Sequence, residues 1–411
     1  MELFEVDKLS ESIDKIINEC INSNFVVEKE LINIEDAYGR ILSEDIISTE
    51  DSPMFNKSVV DGYAVIASDT SGATETIPTF LEIVSDGKMG VEQKTVLASG
   101  QCAYVPTGGM LPENADAVVM IEHTEVFTDN KISIYNAVAS GKNVVKKADD
   151  IKKDEVILKH GRKIKTGDIG LLASLGISKI NVYKKLNVCM ISTGDELESH
   201  TTKNLPLSKI RDANSNMLIS ECNKYGFNVL NRYLIKDDEN EIDKIVKNEK
   251  TKSDIVILSG GSSKGKKDFT EVVIEKNSTT GILTHGIAIK PGKPTITAFD
   301  KNNKTILIGL PGHPTAAVLL FRFLIVGIYE KLTHSKIMNT ETCIAKLTEN
   351  IPASPGRETI QLTVVDDNFN VTPVLGRSAL VKNLSIANSY IIIDIDNEGY
   401  NKNDYIKVYY L

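Results

Sequence analysis

Between residues 186 and 335 the chain repeats one texture. Short runs of β-branched and aliphatic residues, "KLNVCMIS", "GFNVLNRYLI", "SDIVILSGG" and "KTILIGLPG", are separated by the helix-patterned stretches "NSNMLISECNKYG", "ENEIDKIVKNEK" and "FTEVVIEKN". No other feature narrows the fold as far, because alternating strand and helix implies a mostly parallel sheet covered on both faces. Sheets of that kind bind ligands outside the carboxyl ends of their strands, so the residues that follow each strand are the ones to read for chemistry.

Those residues are polar. After "NVCMIS" stand Thr193, Gly194, Asp195 and Glu196, and after "YLI" stand Lys236, Asp237 and Asp238. After "DIVIL" comes the loop "SGGSSKGKKDFT", holding Gly260, Gly261 and Ser262 and closing on Asp268; "IAIKPGKP" then supplies Lys290 and Lys293. In that loop Gly260, Gly265 and Lys266 keep the spacing of a phosphate-cradling P-loop, but Lys267 replaces the hydroxyl residue that ligates magnesium there. A kinase or ATPase reading is thereby rejected, leaving a glycine-rich turn suited to approach a phosphate or a solvated basic turn. Carboxylates gathered beside lysines at one sheet edge suit an anionic phosphate ligand held through a hard divalent cation, since magnesium prefers carboxylate oxygens and water and lysine supplies point charge. For Asp195 and Glu196 the competing reading is plain charge at a helix start. Pro291 and Gly292 force a tight turn between the two lysines. In "LPGHPTAAVLLF", Pro311, Gly312 and Pro314 form a rigid turn with Pro314 at the first helical position, and such a helix end attracts anions. His313 in that turn reads as a structural or solvated histidine.

The flanking chain has a different character. Ile13, Ile16, Ile17 and Ile21 recur at helical spacing and "EKELINIEDAYGRILSEDI" repeats the pattern, so helices are expected at the start; "DIGLLASLGI" (168–177) reads as another. From 51 to 150, "YAVIA", "TFLEIV", "ADAVVMI" and "KISIYNAV" are short strands between turn residues, and Asp61 and Thr107 read by spacing as turn residues themselves. From 336 to 411 strands again dominate, as expected of a small β-barrel or sandwich. The apolar stretch 315–329 is shorter than a membrane span and carries Arg322, so it reads as a buried helix. A formal charge of −9 argues against a nucleic-acid partner. The five cysteines are far apart without a C-x-x-C, and the N-terminus lacks the basic start and apolar run of a signal peptide. Together these lead to the expectation of a cytoplasmic protein with no membrane association.

Eight segments in order, "SPMFNKSVVDGYAV", "PTGGMLPENADAVVM", "GKNVVKKADDI", "GLLASLGI", "STGDEL", "SGGSSKGKKDFT", "IAIKPGKPT" and "GLPGHPTAAV", resemble the MoeA family of molybdopterin molybdenumtransferases, to which the E domains of gephyrin and Cnx are related. The resemblance implies a multidomain α/β plus β subunit. Its parts are a helical linking domain (1–50 and 151–185), an inserted β-rich domain (51–150), a parallel-sheet MoaB/Mog-like α/β domain that binds molybdopterin (186–335) and a C-terminal β-barrel (336–411), assembled as a homodimer. It implies that adenylylated molybdopterin and molybdate give molybdenum cofactor and AMP, assisted by magnesium or another divalent cation. A molybdopterin adenylyltransferase is a possible protein partner. Carried over by motif, Glu196, Asp237 and Asp268 are the acidic, cation-holding cluster, and Asp61 and Thr107 reach the active cleft from the β-rich domain of the partner subunit. Gly194, Asp195, Gly260, Gly261, Ser262, Pro311, Gly312 and Pro314 fall in the substrate-binding motifs, and Lys290 and Lys293 balance ligand charge and help position molybdate. Ser378 in "LGRSAL" matches the Gly-x-Ser region of the last domain, with Arg357 a further anion contact and Asp150 a candidate in the third segment. The chain departs from the family pattern at His313 (usually Asn), at Val59 and Val60 (Ala-Met), and at Val145 and Ala148 (Arg and Gly), where Lys146 or Lys147 stands to replace the lost charge. The alternatives are the preceding adenylyl transfer, for which ATP consumption is the mark, and a non-catalytic scaffold, against which the lack of a fused enzyme domain or long disordered linker speaks.

Overall fold

The computed structural model describes residues 6–260, 269–338, 341–353 and 355–411. The chain sorts into two compact units, one comprising Met1–Glu44, His160–Lys165 and Lys179–Leu411, the other Asp45–Lys159 and Thr166–Ser178.

The first unit holds the expected α/β sheet. Its six strands lie in the order Asn228–Ile235, Asn187–Thr193, Ile255–Gly260, Thr305–Leu310, Ile296–Asp300, Ile282–His285. The first four are parallel, and the last two run antiparallel at one edge. Residue parity decides the face. Val188, Met190, Ile255, Ile257, Ile306 and Ile308 pack with Leu218, Cys222, Phe321 and Leu324 on one side. Cys189, Ile191, Val256, Leu258 and Leu307 pack with Ile242, Val246, Val273 and Ile274 on the other. Burial on both faces is why these strands read as unbroken apolar runs rather than alternating ones.

The apolar stretch after the sheet is a buried helical run: Pro314–Leu320, a π segment Phe321–Val326, then Gly327–Thr333. Arg322 is tolerated inside it because its guanidinium donates two hydrogen bonds of 2.7 Å to the Glu221 carboxylate, the pairing a buried cation requires. Among the described residues no helix is long and apolar enough to cross a membrane. Five strands then close into a barrel: Glu358–Val365 pairs with both Asn370–Pro373 and Ser389–Ile393, and Thr342–Leu347 and Tyr405–Tyr410 complete the ring. A two-residue strand, Ile289–Lys290, adds in parallel to Glu358 and Thr359. Lys290 is thus tied to the barrel, not to the sheet.

One expected helix is absent. Leu9–Asn22 is helical and buries Ile13, Ile16 and Cys20. The second helix-patterned stretch is instead the strand Lys29–Asn33, antiparallel to Lys179–Tyr183, followed by a single 3-10 turn at Ile34–Asp36. Leu31, Ile34 and Ile41 keep a helical spacing, but a strand partner far along the chain, Lys179–Tyr183, took Lys29–Asn33 instead.

The second unit is β-rich, as expected. Its six-stranded sheet has the order Ala117–Met120, Gly62–Val65, Gln101–Val105, Thr79–Asp86, Lys131–Ile134, Thr124–Thr128. Tyr63, Val65, Leu81, Val119, Ile132 and Ile134 form its core. The helix Thr166–Ser174 also belongs to this unit.

Candidate active site

From Asn187–Thr193 the chain moves outward to Asn228–Ile235, then crosses back to Ile255–Gly260 on the other side of the first strand. The switch point, where open α/β sheets hold ligands, therefore lies between Thr193 and Gly260. The two strand ends touch there. Gly260 has a φ of +131°, and a Cβ on it would lie 2.1 Å from the Thr193 carbonyl oxygen, so no other residue fits. A cavity of about 520 Å³ opens at this point, its lining including Gly194, Glu196, Asp212, Asn214, Asp237, Ser259, Gly260, Gly312, His313 and Pro314.

No helix begins at Asp195 or Glu196. Leu197–Glu198 pairs with Ile210–Arg211, and the next helix starts at Asn214, which removes the helix-start reading of this acidic pair. The Glu196 carboxylate lies against Gly194, where a Cβ would come within 2.8 Å of Oε2. Asp195 does not line the cavity; its carboxylate accepts the Asp237 N–H at 3.4 Å and its carbonyl accepts the Lys209 ammonium. Asp237 does line it. Its Oδ1 is buried without a hydrogen-bond partner, and its carboxyl is pushed above the usual range, first by burial and then by the charges of Asp195 and Glu196. Asn214 braces the floor, donating to Ser259 Oγ at 3.0 Å and to the Gly312 carbonyl at 2.9 Å.

Of the acidic triad expected from the sequence, Asp268 lies outside the described residues, as do Gly261 and Ser262. Among the described residues no three His, Cys, Asp or Glu side chains gather as metal ligands. Glu196 and Asp237, with one orphaned oxygen, are nevertheless the kind of donor set magnesium uses when phosphate and water complete its octahedron.

The lysines expected at the same edge occupy a different cavity. It measures about 700 Å³ and its lining includes Lys290, Lys293, Pro311, Gly312, His313, Arg357, Arg377 and Ser378. Gly292 makes the Lys290–Lys293 turn possible: its φ is +127°, and a Cβ would lie 2.8 Å from the Leu320 side chain. Among the described residues none of Lys290, Lys293, Arg357 and Arg377 has a carboxylate partner. Four cations without a carboxylate partner round one hollow, in a chain of charge −9, give it a chemistry suited to an anion. The Gly312-His313 turn divides the two cavities and lines both. His313 Nδ1 and Ser378 Oγ are hydrogen-bonded at 2.8 Å, and the Ser378 carbonyl accepts the Thr315 N–H at 3.2 Å. His313, exposed in the turn, ties the start of the helix to the barrel loop, a structural role of the kind expected of it.

In the β-rich unit the pairing of Gly62 with Val105 brings the residue before one strand and the loop after the other to one sheet end. There Asp61 Oδ1 accepts both the Thr107 N–H at 2.8 Å and the Thr107 hydroxyl at 3.2 Å. Asp150 stands apart from them, on a shallow hollow with Asp149, Lys152 and Lys153. Lys147 Nζ is 3.3 Å from Asp51, so it is already paired. Ala148, where the family pattern has glycine, takes a φ of +62°.

Asp212, Asn214 and Arg377 were missed from the sequence. The run "RDANSN" before a helix was a cap signal that could have been read, and Arg377 adjoins Ser378 in "GRSAL".

The chain matches three family profiles in succession: "MoeA N-terminal region (domain I and II)" over residues 7–176, "Probable molybdopterin binding domain" over 189–331 and "MoeA C-terminal region (domain IV)" over 344–411. It is 32% identical to a putative molybdopterin biosynthesis protein of Methanocaldococcus jannaschii, covering 97% of both chains. It is 30% identical to the molybdopterin molybdenumtransferase of Bacillus subtilis, covering 96% of this chain and 93% of that one. A crystal structure of a molybdopterin biosynthesis MoeA protein from Pyrococcus horikoshii superposes with a TM-score of 0.81 at 31% identity, over 99% of each chain.

Proposed function

Since the chain belongs to the MoeA family of molybdopterin molybdenumtransferases, we propose how its two cavities divide the work of molybdenum insertion. The chain is a transferase of molybdenum cofactor biosynthesis that inserts molybdenum into molybdopterin, with molybdate as the metal source. In our reading the adenylylated form of molybdopterin is the substrate, and its phosphate end enters the cavity of Glu196 and Asp237. Molybdate enters the cavity of Lys290, Lys293, Arg357 and Arg377. The observation that carries this is the sorting of charge on either side of Gly312 and His313.

Asp237 and Glu196, with Asp268 as the third expected member, would hold a magnesium ion. When bound, the cation neutralises the phosphate oxygens and stabilises the leaving AMP. Asp237 supplies the donor: its carboxyl is held high by burial and like charge, so ionisation and cation binding reinforce each other. Gly194 and Gly260 leave room for backbone to approach phosphate. Lys290 and Lys293 hold molybdate by charge, and the His313–Ser378 hydrogen bond keeps the wall between anion and pterin in register. Asp61, aligned by Thr107, is in this reading a catalytic contributor from the β-rich domain of the partner subunit. The reading includes the four-part domain division given above, a homodimer, a cytoplasmic location and substrate received from an adenylyltransferase.

The test is direct. Purified protein, adenylylated molybdopterin, molybdate and magnesium should release AMP and yield cofactor that activates a molybdenum-free apoenzyme. Neither product appearing overturns the assignment, and ATP consumption by the chain alone would turn it toward adenylyl transfer.

A further inference from the structure

The cavity of Lys290, Lys293, Arg357 and Arg377 has two properties that charge alone does not require. Its described lining contains no Asp or Glu. It does contain Thr315 and Thr359, each only 5% exposed, whose hydroxyl oxygens are buried without a hydrogen-bond partner. A buried, unmatched hydroxyl is destabilising, and natural proteins keep few of them without a reason. No hydrogen bond engages either hydroxyl, so each keeps a donor free for a bound oxyanion. The chemistry offered to a ligand is therefore cations and neutral hydrogen-bonding groups, with no anionic acceptor.

Tetrahedral oxyanions differ in what they ask of such a site. Molybdate, tungstate and sulfate carry no proton at neutral pH, so every oxygen is an acceptor. Inorganic phosphate keeps at least one proton, and its P–O–H needs an acceptor that this lining does not supply as a carboxylate. The neutral oxygens of Gln361 and Asn383 accept such a proton less well than a carboxylate would, so phosphate is held more weakly than an oxyanion whose every oxygen accepts.

Resting on the assignment of molybdate to this cavity, we propose that the cavity selects tetrahedral dianions that carry no proton, and that Thr315 and Thr359 are hydrogen-bond donors to the bound oxyanion. Lysines and arginines attract any dianion of the right size; the threonines and the missing carboxylate decide which one stays. Phosphate, abundant in cells, is thereby kept from the molybdate position.

Equilibrium titration of the full chain with molybdate, tungstate, sulfate and inorganic phosphate at pH 7 tests this. Molybdate, tungstate and sulfate should compete for one site, and phosphate should bind at least about tenfold more weakly than molybdate. Thr315→Val and Thr359→Val should each weaken molybdate binding by about tenfold, with Thr→Ser at either position restoring it. The same Val variants, lacking an unmatched hydroxyl, should melt no lower than the parent in the absence of oxyanion. Phosphate binding as tightly as molybdate, Val variants that bind like the parent, or Val variants that melt lower would each overturn the proposal. Cofactor formation by a chain whose Val variants bind molybdate normally would leave molybdenum insertion standing and remove this inference alone. Threonine-dependent binding in a chain that forms no cofactor would do the reverse.

Discussion

The cavity at the carboxyl ends of the parallel strands carries Glu196, Asp237 and Asp212, whereas the one beyond His313 carries two lysines and two arginines. Arg211, the cation in the first lining, has its guanidinium engaged by the Thr202 carbonyl. The cavities differ in origin as well as charge. The acidic one is made by the sheet's own strand ends, while the basic one needs Ile289–Lys290 to leave the sheet and join the barrel. Two ligands of one reaction, both anionic, can thus be held by different means: one through carboxylates that require a cation, the other by fixed positive charge.

That contrast can be broken one side at a time. The largest expected effect is on the acidic side: Asp237→Asn should lower cofactor formation by about 100-fold or more while leaving molybdate binding unchanged. On the basic side, Lys290→Gln or Lys293→Gln should raise the molybdate KM by roughly tenfold, with an affinity that falls as salt rises and with pterin binding kept. A kinetic split that runs the other way would erase the division of labour. At the wall, Ser378→Ala removes one neutral hydrogen bond and should reduce kcat/KM by about fivefold. In the β-rich unit, Ala148→Gly relieves a left-handed backbone and should stabilise that unit by about 1 kcal/mol in denaturant titration, with unchanged activity.

The smallest effect is on stability and sharpens the electrostatic part. The folded pKa of Asp237 is raised, so ionising it opposes folding. Ligand-free parent and Asp237→Asn should melt alike at pH values below the ordinary carboxylate range. As pH rises through the raised value the parent should fall behind, by no more than about 2 °C because the group is partly solvated. Magnesium should narrow the gap if Asp237 holds it.

Much of this was legible in advance. The apolar runs from 187 to 310 had to be strands of a two-sided sheet, and the polar residues after them had to meet at its carboxyl edge. Lys29–Asn33 was not legible, because Leu31, Ile34 and Ile41 keep a helical spacing and only pairing with the distant Lys179–Tyr183 strand overrides it. Thr315 and Thr359 were invisible because a hydroxyl lacking a partner has no sequence signature.

The sequence by itself determined the α/β class, the ordered motifs of the family and which residue types stand at the strand ends, since these follow from local periodicity and chain order. Only the tertiary structure decided that the carboxylates and the lysines occupy separate cavities, that Asp195 accepts the Asp237 N–H outside the cavity lining, and that His313 reaches Ser378. Each of those depends on pairing between segments distant in sequence, and such pairing is fixed by burial and hydrogen bonding across the whole fold rather than by any local pattern.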